Sequence, residues 1–323
     1  MRVGLIGCGL IGRKRVQAAA GHDVTLVYDR DPAAASAVAT MTGANVAPTA
    51  GALLDADLDA VIVATTHDAL AALATQAVEA GKHVLVEKPA GRNGDEVATL
   101  AEAAVRRRRV VKVGFNHRFH PALQRAHDIV SSGEIGPLLY IRGRYGHGGR
   151  IGYDKEWRCI AEKSGGGELV DQGSHLIDLS RWFLGDLQLE YAATPTYFWD
   201  IAVDDNAFLA LRNADGRIAW LHASWSEWKN KFSFEICGRI GKLVIDGLGG
   251  SYGTERLTFY RMLPEMGPPQ TTSWEFPFPD RSWDIEFADF AAAIAEDRRP
   301  CGDIQDALAM HRLIDQAYGR GTQ

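Results

Sequence analysis

Cysteine is scarce in this chain. Cys8, Cys159, Cys237 and Cys301 are its four thiols in 323 residues, with no CxxC or Cys–His spacing among them. That excludes a disulfide framework and a cysteine-built zinc site, and leaves buried reduced thiols as the expectation. Long apolar runs are lacking too: Lys, Arg, Asp, Glu or Gly interrupts every hydrophobic stretch before it reaches the roughly eighteen residues of a membrane helix. Nor is positive charge in excess. Lys and Arg number 35 against 41 Asp and Glu, a formal net charge of -6, whereas a nucleic-acid partner would require a basic face. The one basic cluster, residues 106–109, closes a helical stretch, where it suits the negative end of the macrodipole. Repeats and low-complexity tracts are absent. Met1-Arg2-Val3-Gly4 enters a strand pattern with no signal-peptide architecture, so a soluble cytoplasmic protein is expected.

What is present is ordinary globular composition, 46% hydrophobic and 24% charged, in a chain long enough for two domains with separate cores. Over residues 1–118, apolar strands at 3–6, 24–28, 60–64, 84–86 and 110–115 alternate with helical stretches. Strands apolar on both faces and separated by helices predict a doubly wound parallel sheet, an α/β domain. Beyond Pro121 the pattern changes. Helices at 121–132 and 169–184 flank a Gly-rich region, and strand-like runs follow at 196–199, 207–211, 218–226, 231–237, 242–246 and 257–260. Short turns such as Asn213-Ala214-Asp215-Gly216 join most of them, as antiparallel neighbours require. Residues 119–323 are therefore expected to form an α+β domain on a large, mostly antiparallel open-faced sheet. Helices at 283–295 and 303–318 end the chain, the last expected to pack back on the first domain. The Pro-rich segments 267–269 and 276–279 predict an ordered surface loop.

Gly7-Cys8-Gly9-Leu10-Ile11-Gly12 is a GxGxxG that follows the first strand and opens a helix, and the second strand ends in Asp29. In that setting Gly7 makes the tight turn, Gly9 admits a pyrophosphate against the backbone, and Gly12 lets helix and strand pack closely. The free N–H groups of the helix start, with Leu10 and Ile11, favour phosphate. Asp29 would accept hydrogen bonds from the adenosine ribose and repel a 2'-phosphate, which favours NAD. Arg30 beside it stays open between a surface role, adenine stacking and a grip on the 2'-phosphate of NADP.

Two further segments carry chemistry. Glu87-Lys88-Pro89 lies at the carboxyl end of a parallel strand, where ligands bind in open α/β sheets; a merely solvated lysine is the alternative. In Gly165-Gly166-Gly167-Glu168-Leu169-Val170-Asp171-Gln172-Gly173-Ser174-His175-Leu176-Ile177-Asp178, the residues Asp171, His175 and Asp178 recur at helical spacing on one face. An Asp–His pair beside Gly173, which leaves room for a ligand, suits proton transfer better than a structural histidine.

Taken in order, the glycine fingerprint, Glu87-Lys88-Pro89 and the Gly-Gly-x-x-x-Asp-x-Gly-x-His-x-x-Asp segment resemble the Gfo/Idh/MocA family, that of glucose-fructose oxidoreductase and inositol dehydrogenase. The likeness extends to Gly114-Phe115-Asn116-His117-Arg118-Phe119-His120-Pro121 and to Trp157-Arg158, and so covers essentially the whole chain. It implies that Lys88 hydrogen-bonds the reacting oxygen, that His175 is the acid/base on that oxygen, and that Asp171 binds a substrate hydroxyl. It further implies a cofactor site including Thr65, Thr66, His67, Glu87, Lys88, Asn116, Trp157 and Arg158. The substrate site it implies includes Lys88, His117, Arg118, Tyr145, Arg158, Asp171 and His175. Dimers or tetramers through the outer face of the antiparallel sheet are implied as well.

The chemistry fits these residue types. A carbinol releases hydride easily only as its O–H proton is removed, which wants a base of pKa near neutrality, and an ammonium stabilises the developing alkoxide. The expected function is hydride transfer between NAD, or NADP, and a hydroxyl-bearing carbon of a sugar, cyclitol or nucleotide-sugar. An oxidoreductive NAD-dependent glycosidase would use the same residues. A non-catalytic dinucleotide-sensing regulator is the reading from another class, and retention of Lys88, Asp171 and His175 counts against it. The chain departs from the family pattern at Thr65-Thr66-His67, where His67 either replaces an asparagine or caps a helix. It departs again at His117, where many relatives carry Arg or Tyr. The loop at 145–150 is read either as a polar substrate contact or as a plain loop.

Overall fold

A computed structural model describes residues 1–320. The chain divides into two compact units. One comprises residues 1–116 with 281–311, the other residues 117–280 with 312–320.

In the first unit, strands β1 (Arg2–Ile6), β2 (Asp23–Tyr28), β3 (Asn45–Val46), β4 (Ala60–Val63), β5 (His83–Val86) and β6 (Val111–Val113) form one sheet in the order β3-β2-β1-β4-β5-β6. Every pairing is parallel. The order reverses between β1 and β4, which places a ligand crevice at their carboxyl ends. β4 is buried along its whole length, so its unbroken Ala-Val-Ile-Val run is that of a strand covered on both faces. The intervening helices start where the sequence supplies caps. Asp31 accepts from the Ala33 N–H at 2.9 Å ahead of Pro32, and Asn93 accepts from the Glu96 N–H at 3.0 Å. β3, two exposed residues long, is too short to show a period and was not expected from the sequence.

The first unit also takes in helix Ser282–Ala295, rather than ending at residue 118. The reason is its apolar face: Phe287 and Phe290 join the cluster of Val3, Leu5, Val27, Ala60, Ile62 and Leu85.

The second unit carries β7 (Leu138–Gly146), β8 (Leu187–Ala193), β9 (Asn206–Asn213), β10 (Ile218–Ser224), β11 (Lys231–Gly238), β12 (Gly241–Asp246), β13 (Glu255–Arg261) and β14 (Gln270–Phe276). Their order is β14-β13-β12-β11-β7-β10-β9-β8, and the β7–β10 pair alone is parallel. Helix Ser174–Leu184 packs on one face. Gly143 of β7 makes room for it, since a Cβ there would press on Leu176, Leu221 and Phe234 at 3.0 to 3.2 Å.

Three expectations need correcting. Residues 196–199 form no strand, because the N–H groups of Tyr197, Phe198 and Trp199 donate to the Asp205 carboxylate at 2.8, 2.7 and 2.9 Å instead of to a ladder. The surface loop expected around 267–279 contains β14, an edge strand whose exposed Thr and Ser hide its period. β7 occupies part of the expected Gly-rich region, and β8 follows the helix ending at Leu184, ahead of the first strand the sequence predicts there. Among the described residues, no helix is long and apolar enough to cross a membrane.

Candidate active site

All five principal strands of the first sheet run parallel, so the residues following them gather at one edge. They are Gly7 after β1, Asp29 after β2, Thr65 and Thr66 after β4, Glu87 and Lys88 after β5, and Asn116 beyond β6. Gly7 has φ +98°, and a side chain there would strike the Ala64 carbonyl. A Cβ at Gly12 would collide with the Gly7 carbonyl oxygen, whereas one at Gly9 would meet nothing within 4 Å. Gly9 is the N-cap of helix Leu10–Ala18, which has no side-chain cap and no acidic residue in its first turn; Leu10 is 74% exposed and Ile11 half-buried. Open space over an uncapped helix start is what a pyrophosphate needs, so these residues fit a dinucleotide.

Asp29 is built into this turn. Its carboxylate accepts from the Cys8 N–H at 2.6 Å and the Asp31 N–H at 2.9 Å, while Arg30 is exposed. Thr66 is the N-cap of helix His67–Glu79 and its hydroxyl donates to Asp68 at 2.6 Å. His67 is therefore the first helical residue rather than the cap, and it is buried. Lys88 is half-buried, and the Lys88–Pro89 bond is cis. Asn116 donates through Nδ2 to the Ser282 hydroxyl at 3.0 Å.

In the second unit a π-helical turn, Leu169–Gly173, leads into helix Ser174–Leu184. Asp171 stands in that turn and His175 one turn on. The turn is held from below: Asp204 accepts from the N–H groups of Gly167 at 2.9 Å and Leu169 at 2.8 Å, and from the Tyr318 hydroxyl at 2.5 Å. Burial pushes the Asp204 carboxyl up against these hydrogen bonds, and burial together with the Asp204 charge pushes Tyr318 well above an ordinary phenol.

His175 is buried, and His117 stacks on it. Tyr145 closes on the pair, its ring centroid 5.3 Å from His117 and 6.2 Å from His175. Arg158 Nε lies 3.3 Å from Asp171 Oδ2, and its guanidinium lies 4.7 Å from the centroid of the Trp157 ring. His117, Tyr145, Trp157, Arg158, Asp171 and His175 thus gather within the second unit.

Arg118 and Asp178 meet each other. Their side chains, both buried, form a two-pronged ion pair at 2.9 and 2.6 Å. Asp178 shares the helix face predicted for it, but it anchors Arg118. Of the loop expected at 145–150, Tyr145 and Gly146 lie in β7; beyond them Arg150 pairs with Glu156 at 2.5 Å, and His147 accepts from the Gly149 N–H at 2.9 Å.

Three residues joined these sites unannounced. Tyr252 lies 5.3 Å from Tyr145, ring to ring, and accepts from Gln172 Nε2 at 3.2 Å; burial pushes its phenol up to about 12. Phe232, across the strand pair from Tyr145, lies 5.3 Å from it ring to ring. Arg15 is wholly buried on the helix after the fingerprint. It had a readable signal: Gly12, Arg15 and Val16 share the inward face of that helix, and a charged residue there demands partners.

Comparison with known proteins agrees with this layout. Residues 1–115 match the profile of the oxidoreductase family with NAD-binding Rossmann fold, and residues 123–244 match that of the GFO/IDH/MocA C-terminal domain. The chain is 28% identical over 219 residues to levoglucosan dehydrogenase of Pseudarthrobacter phenanthrenivorans, covering 59% of this chain and 56% of that protein. It is 30% identical over 253 residues to 1,5-anhydro-D-fructose reductase of Ensifer adhaerens, covering 75% of each. The solved structure of levoglucosan dehydrogenase in complex with NADH superposes with a TM-score of 0.88 at 25% identity, over 99% of this chain and 98% of that one. In sequence, then, the match spans little more than half of the levoglucosan enzyme; in structure it spans nearly all of it. The chain belongs to the Gfo/Idh/MocA family of NAD-binding oxidoreductases.

Proposed function

We propose that this protein transfers a hydride between NAD and a hydroxyl-bearing carbon of a sugar, cyclitol or nucleotide-sugar. The observation that carries the reading is the buried His175 imidazole one helical turn from Asp171, in an aromatic wall of His117 and Tyr145. The helix start at Gly9 to Gly12 holds the pyrophosphate, and Asp29 accepts from the adenosine ribose. When bound, the nicotinamide supplies the two-electron acceptor or donor. His175 takes the hydroxyl proton on a ring nitrogen as hydride leaves the same carbon, and returns it in the reverse direction. Lys88 donates a hydrogen bond to the reacting oxygen and stabilises negative charge developing there. Asp171 accepts from a neighbouring substrate hydroxyl, with Arg158 Nε 3.3 Å from its Oδ2. Levoglucosan and 1,5-anhydro-D-fructose, named for the relatives, head the panel of substrates to try.

The outer face of the eight-stranded sheet joins copies of the chain into a dimer or tetramer. Trp220, 50% exposed and stacked on Tyr191 at 6.5 Å, supports this. The protein acts in the cytoplasm on small molecules, without nucleic acid. The test is the near-ultraviolet absorbance of reduced nicotinamide, gained on mixing the protein with NAD and levoglucosan or another polyol, or lost on mixing it with NADH and 1,5-anhydro-D-fructose. Turnover of a polyol or sugar, lost in Lys88→Ala with NADH affinity retained, supports the reading; tight NAD binding with no turnover of any member would favour a regulator.

A further inference from the structure

Arg15 lies three residues past the last glycine of the fingerprint and is wholly buried. A guanidinium stays charged under all ordinary conditions, so inside a protein its charge must be met. It is met from both sides: Nε donates to Glu87 and Nη1 donates to Glu286, and the Trp283 ring lies over the guanidinium, 4.3 Å from carbon to centroid. Burial opposes the charge of Arg15, but the carboxylates of Glu286 and Glu87 more than offset it, and its pKa is raised. Glu286 is itself wholly buried, on helix Ser282–Ala295.

The network ties three things together: the helix that starts at the phosphate-binding glycines, the carboxyl end of β5, and a helix from late in the chain. Glu87 is the residue next to Lys88. The other side of the lysine is fixed too, because Pro89 offers its carbonyl to His311 Nε2 at 2.8 Å and the Ala90 N–H returns to the Glu87 carbonyl at 2.9 Å. Gly114 completes the fit, since a side chain there would run into Arg15 and the Glu87 carboxylate.

We propose that Glu87 is a positioning residue: Arg15, anchored by Glu286, holds the Glu87 carboxylate, and through it sets the backbone from which Lys88 presents its ammonium. A lysine side chain has four rotatable carbon links and no fixed fork, so its aim depends on how rigidly its backbone is held. Misplacing a catalytic group by about 1 Å costs about a hundredfold in rate. The proposal rests on the reading of Lys88 given above. It gives Glu87 a role through its neighbour rather than a contact of its own with the cofactor.

The experiment combines NMR and kinetics on the whole chain. Lysines carrying 13C-methyl groups are observed by NMR, and the Lys88 signal is identified by its loss in Lys88→Ala. In Glu87→Gln, which keeps the shape but removes the charge, the Lys88 signal is expected to shift or split. Glu286→Gln, which frees Arg15 from the other side, should act in the same direction and serves if Glu87→Gln does not fold. A Lys88 signal unmoved in the folded variants overturns the proposal. Oxidation of levoglucosan and of myo-inositol by NAD provides the second readout. Glu87→Gln should lower kcat by about ten- to a hundredfold with KM little changed, and should have almost no further effect in the Lys88→Ala background. An equal loss in both backgrounds also overturns it. Should neither sugar turn over, the NMR signal alone decides. Full turnover by Lys88→Ala would instead refute the role given to Lys88, whatever the Glu87 variants do.

Discussion

The imidazole of His117 lies almost flat on that of His175, the ring centroids 3.7 Å apart and the planes 23° from parallel. One of these rings is the proposed acid/base, so the other forms the wall that fixes its orientation. Packing of this kind contributes about 0.5–1.5 kcal/mol. His117→Ala should lower kcat/KM by roughly tenfold and His117→Phe, which keeps a flat ring, by much less. Steady-state rates of the two variants check this; equal losses would mean that His117 does more than buttress His175.

The carboxylate of Asp205 holds a loop rather than a substrate. It is buried and accepts from three successive backbone N–H groups, of Tyr197, Phe198 and Trp199. Burial pushes its pKa up, but these hydrogen bonds outweigh burial and the net direction is down. A carboxyl whose folded pKa is depressed contributes stability above its unfolded value, about 3.9, and loses it as pH falls through the lower folded value. Asp205→Asn should therefore cost about 1–3 kcal/mol at neutral pH and lessen the acid-induced loss of stability below about pH 4. Urea melts across that range provide the measurement, and a parallel pH dependence in both proteins would count against the assignment.

In the proposed reading cofactor choice depends on Asp29, whose carboxylate also closes the turn by accepting from the Cys8 N–H at 2.6 Å. Asp29→Ser removes the charge that faces a 2'-phosphate while leaving a short polar group. NADPH affinity should rise relative to NADH by at least about tenfold, roughly 1.4 kcal/mol. Fluorescence titration with both reduced cofactors reads this directly; an unchanged ratio would move discrimination to Arg30.

Cys8 and Cys159 should be inert, whereas Cys301, expected to be buried, is only half-buried. Burial first, and the nearby Asp29 charge second, push Cys8 up to about 12, and burial pushes Cys159 up to about 11. Only the thiolate reacts, so neither residue should label with iodoacetamide near neutral pH while the chain is folded. Mass spectrometry of peptides after brief exposure tests this, and fast labelling of Cys8 would contradict its burial.

The fingerprint and Asp29 were legible in the sequence because each part of that site is local, a strand, a turn and the next strand end. Asp171 and His175 were legible because helical spacing alone puts them on one face. Glu286 was not, since it meets Arg15 from 271 residues away and nothing in its own helix announces a partner. Phe232 reaches Tyr145 because β11 pairs with β7 in the register that sets the two opposite each other, and Tyr252 comes from the turn between β12 and β13, arrangements that local periods do not encode. Asp178 shows the opposite error. Spacing put it beside His175 correctly, but only the structure shows its carboxylate taken up by Arg118.

The central claim is that His175 takes the hydroxyl proton as hydride leaves the carbon bearing that hydroxyl. Rapid mixing of the NAD-bound protein with a sugar that it oxidises, followed by nicotinamide absorbance, tests it most directly. His175→Ala should bind NAD as the unaltered protein does and lose at least about a hundredfold in the first-turnover rate. A first turnover as fast as that of the unaltered protein would contradict the account.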